Sequence, residues 1–184
     1  MQSQMKSQDV GIDGVVLVSL VAHADERGAF TEVYRQDWAP GSSAMVQSNL
    51  SRSRGNVLRG LHVHREQADY WCFVAGSAFV GLYDLRDGSP TSSTKAEIRI
   101  STEEEMLGLY IPPGVAHGFY AETDVALQYL VDHYFTGEDE YGLAWDDPDV
   151  GMGWPTDRPI LSERDTSNPA LADAVREARP YATR

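Results

Sequence analysis

Short apolar runs, several alternating with polar residues, recur along most of the chain. Gly14-Val15-Val16-Leu17-Val18-Ser19-Leu20 is apolar and β-branched, and segments 44–51, 57–64, 70–74, 78–85, 96–100, 107–111, 117–121 and 125–134 have the same character. Runs of this length, split by Gly, Pro, Ser and Asp, read as strands. Gly76-Ser77 predicts a tight hairpin turn between two apolar strands, and Gly88-Ser89-Pro90 a wider one. Many short strands with no helices between them predict an all-β sandwich, jelly roll or barrel. A single helix is expected near the end: Asn168 can cap it, Pro169 suits its first position, and Leu171 and Val175 share a face. Residues 146–167, rich in Pro, Asp and Gly, read as an ordered loop packed by Trp145 and Trp154. There is no internal repeat and no low-complexity stretch.

Composition narrows the function. A length of 184 residues suits one domain with a sizeable core. No apolar run approaches the roughly 20 residues of a membrane span. Met1 to Val10 is polar and lacks the apolar stretch of a signal peptide. The one cysteine, Cys72, fits a reducing compartment, so a cytoplasmic location is expected. A net charge of -13 argues against nucleic-acid binding, which needs a basic footprint. It leaves room for a small anionic ligand, because a few local arginines outweigh distant, screened charge. The acidic runs Glu103-Glu104-Glu105 and Glu138-Asp139-Glu140 read as exposed loops or edges.

Candidate chemistry centres on three of the five histidines. In a strand, His62 and His64 point to the same side. His117 follows the turn Pro112-Pro113-Gly114 and opens a further strand. Two imidazoles on one face and a third from elsewhere suit either a metal site or a general base. Val125, Leu127, Tyr129 and Val131 alternate, so Tyr129 faces an apolar interior, as a reactive phenol or as an ordinary core tyrosine.

Two resemblances follow. The order His62-x-His64, four residues, Asp69, six residues, Gly76, then Pro-x-Gly-x-x-His ending at His117 resembles the two metal motifs of the cupin superfamily. It implies a jelly-roll barrel and a divalent metal held by His62, His64, Asp69 and His117, with Asp where such cupins usually have Glu. Imidazole with carboxylate suits Zn, Fe, Mn, Ni or Cu. Otherwise Asp69 pairs with a cation, bonds a histidine or lies in the turn before Tyr70.

The longer resemblance covers about residues 25–165. Asp25-Glu26-Arg27-Gly28-Ala29-Phe30-Thr31-Glu32, Val46-Gln47-Ser48-Asn49, Asn56-Val57-Leu58-Arg59-Gly60-Leu61-His62, Asp84-Leu85-Arg86 with Ser89-Pro90-Thr91, and Ile111 to Phe119 come first. Tyr129, Glu140, Trp145-Asp146-Asp147-Pro148, Trp154-Pro155 and Leu161-Ser162-Glu163-Arg164-Asp165 complete it. In that order they resemble the dTDP-4-dehydrorhamnose 3,5-epimerase family, a metal-free cupin family. The resemblance implies one cupin domain over 1–184, its double-stranded β-helix barrel at about 14–135 and a C-terminal loop and short helix at about 136–184. It implies a dTDP-linked 4-keto-6-deoxyhexose as substrate, no cofactor, and a homodimer paired through N-terminal strands such as Val15 to Val21. His62 would be the base held by Asp165, Tyr129 the acid, and His117 would lie against the sugar. Arg27, Glu32, Gln47, Asn49, Arg59, Glu140 and Arg164 match positions that hold nucleotide, phosphates or sugar; arginine suits a diphosphate through paired hydrogen bonds. Strict alternation puts Arg59 opposite His62, so its role needs a bulge at Gly60 or a contact across a subunit boundary.

The chain departs from that family at two places. Typical members carry a lysine where Asp69 aligns, and Gln where His64 stands. An anion near a developing enolate is unfavourable by about a few kcal/mol at an effective dielectric near 20. A metal on His62, His64, Asp69 and His117 would replace the lysine as electrophile, but would occupy the base. Three readings remain: an enzyme on nucleotide-linked keto sugars (an epimerase at one or two carbons, or a ketoisomerase), a divalent-metal cupin of other activity such as oxygenation or isomerisation, and a non-catalytic sugar-nucleotide binder or interaction protein.

Overall fold

The period-two segments form strands throughout the residues described, 6–38 and 43–178 of the computed structural model. The remaining residues, including half of the polar stretch Met1 to Val10, lie outside that description. The strands are β1 (Lys6–Gln8), β2 (Val16–Ser19), β3 (Ala22–Asp25), β4 (Gly28–Thr31), β5 (Gln47–Ser53), β6 (Leu58–Val63) and β7 (Asp69–Ala75). They continue with β8 (Ser77–Asp84), β9 (Lys95–Ser101), β10 (Leu107–Ile111), β11 (Val115–Ala121), β12 (Val125–Val131) and β13 (Tyr141–Gly142). Two helices follow, α1 (Glu163–Thr166) and α2 (Leu171–Ala178).

Two antiparallel sheets result, in the orders β1-β2-β10-β7-β12-β5 and β13-β6-β11-β8-β9. Leu17, Phe73, Leu109 and Leu127 of the first meet Leu82 and Phe119 of the second, all at most 5% exposed. This is the cupin-type jelly roll with a short C-terminal helix. Cys72 is a free, buried thiol, pushed up to about 11 by burial. Among the described residues no helix is long and apolar enough to cross a membrane.

Gly76 does not turn a hairpin. Although β7 and β8 are consecutive, β7 pairs with β10 and β12, and β8 with β11 and β9. Gly76 is the corner where the chain changes sheets. Its φ of +87° favours glycine, and a Cβ there would lie 2.2 Å from the Asp124 carbonyl oxygen. The wider turn after β8 does join paired strands.

The C-terminal helix begins two residues later than expected. Asp147 caps it, its Oδ2 accepting from the Leu171 N–H at 2.8 Å, while Asn168 donates to the Leu61 carbonyl at 3.4 Å. The segment 146–167 is mostly loop, with the Trp154 indole donating to the Trp145 carbonyl at 2.7 Å, but its end forms α1. The hairpin β3–β4 stands apart from both sheets and is almost wholly exposed, Phe30 at 67%.

A buried polar cluster ties the N-terminal segment to the barrel. The Arg86 guanidinium donates to both Asp84 oxygens at 2.8 Å and to the Asp13 carbonyl at 2.6 Å, while Ser89 and Thr91 hydroxyls donate to Asp84 at 2.6 and 2.7 Å. Burial alone would raise the Asp84 carboxyl; Arg86 and the two hydroxyls outweigh it and hold the group below the usual range. Asp84→Asn leaves the Arg86 charge buried without its counter-ion and is expected to cost about 3–5 kcal/mol. Denaturant unfolding at pH 7 measures it, and a loss below about 1 kcal/mol on the same scale would contradict this account. A depressed carboxyl stabilises above its unfolded value, near 3.9, and the contribution disappears as pH falls through the folded value.

Candidate active site

His62 lies in β6 and His117 in β11, and the two are direct register partners. Between this pair and the next, Arg59 opposite Phe119, β6 carries one residue more than β11. That extra residue is a bulge at Gly60-Leu61, and it returns Arg59 to the same face as His62. Close glycine contact permits it: a Cβ on Gly60, whose φ is +125°, would sit 2.6 Å from Gly118 Cα. The bulge expected at Gly60 is therefore present, and Arg59 lines the cavity without help from another subunit.

The cavity, of about 420 Å³, opens between the two sheets, within the range of small-molecule sites. His62, His64, Asp69 and His117 line it together with Tyr129, Gln47, Asn49, Arg59, Glu140 and Arg164. Arg27 and Glu32 do not. Arg27 sits in the β3–β4 turn, 85% exposed and paired with Asp25 at 2.5 Å, and Glu32 pairs with Arg35 at 3.5 Å.

Asp165 stands behind His62. Its Oδ1 meets His62 Nε2 at 2.7 Å, and its Oδ2 accepts from the Ser162 hydroxyl at 2.8 Å. It belongs to α1, capped by the same Ser162, and is 4% exposed. Burial tends to raise its carboxyl, but the bonds from His62, Ser162 and the Gly60 N–H lower it overall. An ionised carboxylate only accepts, so Nε2 carries the proton and Nδ1 is left as the basic atom of the ring.

His117 is 4% exposed, and its Nδ1 donates to the Val115 carbonyl at 2.9 Å. Burial pushes this imidazole down further than Asp69 pulls it up, so it is neutral at pH 7. His64 Nδ1 donates to the Asp139 carbonyl at 2.6 Å. Asp69, at 3% exposure, accepts from Gln67 Nε2 at 2.8 Å and from Trp71 Nε1 at 2.9 Å. His64, Asp69 and His117 each offer a ligand atom within 4.8 Å of the others. His62 is not in that group, neither of its ring nitrogens lying within that distance of all three, and its Nε2 is bonded to Asp165. The four-residue cage read from the motif thus closes around three.

Tyr129 projects from β12, in the opposite sheet from His62. Burial, then Asp69 and Glu140, raise its phenol above the ordinary value against the pull of Arg59. It is therefore protonated at neutral pH.

The acidic run 138–140 is not simply exposed. Asp139 accepts from the backbone N–H groups of Arg65, Glu66 and Gln67 at 2.6–3.1 Å, and Glu140 pairs with Arg164 at 2.6 Å in the cavity wall. These contacts span more than 70 residues or come from α1, and are invisible to a local reading of charge. Trp71, Gln67 and Phe135 also line the cavity and were not singled out from sequence. Trp71 shares a strand face with Asp69, so alternation contained that signal. Its ring stands edge-on to His117 at 5.3 Å.

A family model described as dTDP-4-dehydrorhamnose 3,5-epimerase matches residues 9–173. The chain is 38% identical over 178 residues to the dTDP-4-dehydrorhamnose 3,5-epimerase of Pseudomonas aeruginosa, covering 92% of this chain and 98% of that one. It is 36% identical over 177 residues to a protein of the same name from Neisseria gonorrhoeae, covering 92% of this chain but only 54% of that longer one. The crystal structure of dTDP-6-deoxy-D-glucose-3,5-epimerase from Legionella pneumophila Philadelphia 1, in complex with dTDP-4-keto-L-rhamnose, superposes with a TM-score of 0.87 at 29% identity, over 98% of this chain and 100% of that one. The chain belongs to the dTDP-4-dehydrorhamnose 3,5-epimerase family of isomerases.

Proposed function

We propose that this chain epimerises a dTDP-linked 4-keto-6-deoxyhexose by removing a proton beside the ketone and replacing it from the other side. One observation carries the reading: an imidazole whose Nε2 is committed to Asp165 and a protonated phenol line one cavity from different sheets. Inversion needs that arrangement, because the proton leaves one face of the sugar and returns to the other. His62 Nδ1 takes the proton; the C–H pair becomes the enolate double bond, and the carbonyl π pair moves to oxygen. Tyr129 then protonates the carbon, and solvent exchange resets the imidazolium and the tyrosinate. Asp165 is a positioning residue that keeps the tautomer and stabilises the imidazolium, the role of the acid in other His–Asp pairs.

Arg59 and Arg164 supply cationic groups in the cavity wall of an otherwise acidic protein. They suit a nucleoside diphosphate. Arg27, in the exposed turn of the β3–β4 hairpin, and Glu32, just after β4, fit a contribution to the cavity of a second copy. A homodimer is part of this reading, as are a single cupin domain and a cytoplasmic location. Sedimentation showing a monomer at micromolar concentration would remove the shared-site element.

In deuterium oxide, the enzyme is expected to exchange hydrogen for deuterium at carbons next to the ketone of dTDP-4-keto-6-deoxyglucose, read by mass spectrometry. Binding of dTDP with no exchange above the uncatalysed rate would make the chain a sugar-nucleotide binder instead.

A further inference from the structure

We propose that His64, Asp69 and His117 bind one divalent first-row transition-metal ion, and that His62 stays free of it as the base. The role given to the ion rests on the epimerase reading; its binding does not.

The three donors come from the residue just after β6, the start of β7 and the middle of β11. The His64 carbonyl accepts from the Gly114 N–H at 2.7 Å, which ties the first of these to the turn leading into the third. All three are at most 6% exposed, yet all line the cavity. Both imidazoles donate Nδ1–H to backbone carbonyls, of Asp139 and Val115. That leaves each Nε2 lone pair uncommitted and fixes the ring, the usual support of a metal-ligating histidine. The carboxylate is held by Gln67 and Trp71 in the same way.

His117 Nε2 lies 3.9 Å from Asp69 Oδ2, too far for a hydrogen bond. Two donors at 90–110° around an ion at about 2.1 Å stand about 3.0–3.4 Å apart. For this pair a closure of about 0.5–0.9 Å reaches ligand spacing, and all three ligand atoms already lie within 4.8 Å of one another. Two imidazoles and one carboxylate with open positions are a known set for such ions.

The chemistry explains why an anion is placed here. Bare Asp69 opposes a developing enolate, and the lining residues include no lysine. Asp69 with a divalent ion carries net +1 and can polarise the ketone oxygen. Because His62 is engaged by Asp165 and lies outside the cluster, a Lewis acid and a free base can act together.

The test uses the full chain, purified without an affinity tag, stripped with a chelator and titrated with Co²⁺. One equivalent is expected to bind with visible ligand-field bands that Zn²⁺ abolishes. Asp69→Asn and His64→Gln are each expected to weaken Co²⁺ binding at least 100-fold, with far-UV spectra confirming the fold. His62→Gln is expected to keep the bands. No bands in the native chain, or bands indifferent to both ligand substitutions, or bands lost in His62→Gln would overturn the assignment. Deuterium exchange is read on the same samples. Exchange at full rate in the stripped chain overturns the ion's role. Absence of exchange in the loaded chain, with binding as described, leaves the site standing and sinks the epimerase reading.

Discussion

His62→Gln is expected to lower both deuterium exchange and product formation by about 10³–10⁴-fold, with KM changed by no more than a few-fold. Glutamine keeps much of the volume but has no basic atom at neutral pH. The side chain is 26% exposed, and a glutamine amide can still donate to Asp165, so the fold is expected to persist. Asp165→Asn should follow with a loss of about 10²–10⁴-fold, because the amide no longer selects the tautomer with hydrogen on Nε2. The two effects should not add: once the base is gone, its orienter has nothing left to orient. Exchange within tenfold of wild type in His62→Gln would remove this residue as the base. A double variant losing the full product of both effects would separate Asp165 from it.

Tyr129→Phe is expected to separate exchange from inversion. The base still removes the proton, so deuterium enters the substrate, but nothing delivers a proton to the other face. Product should fall by about 10²–10³-fold while exchange into recovered substrate falls far less. Equal loss of both would place Tyr129 in binding or in enolate formation instead. The pH dependence has a definite sign. In the chelator-stripped chain burial, then the nearby Asp69 and Glu140, raise the phenol, so its acid form persists to higher pH than that of an ordinary tyrosine, near 10. The alkaline fall in product formation should therefore lie above pH about 10, and should vanish from the exchange reaction of Tyr129→Phe.

How much of this was readable before folding depends on range. The strands were legible because a half-buried strand writes its two faces into alternate residues. The β3–β4 hairpin was not, since it is exposed on both faces and neither face selects apolar side chains. Gly76 was correctly a break and wrongly a hairpin: a local pattern marks where a strand stops, not which strand it pairs with next. The start of α2 was misplaced because its cap, Asp147, comes from 24 residues upstream rather than from the adjoining asparagine.

The cavity shows the same division. Alternation placed His62 with His64, and Tyr129 with Leu127 and Val131, because these relations hold between near neighbours in the chain. Motif spacing brought His117 to the same region. Arg59 needed one irregular residue at Gly60 to face inward, and the need for it followed from the pattern alone. The residue types and their period-two spacing thus carried the fold class and the inventory of acids, bases and arginines, both being properties of neighbouring positions. Which partner each group takes was settled by the barrel. His62 meets a carboxylate 103 positions away, Asp139 braces a distant turn, and three of four supposed ligands converge while the fourth turns aside. Those choices depend on how two sheets are laid against each other and where α1 docks, which no single segment of the chain encodes.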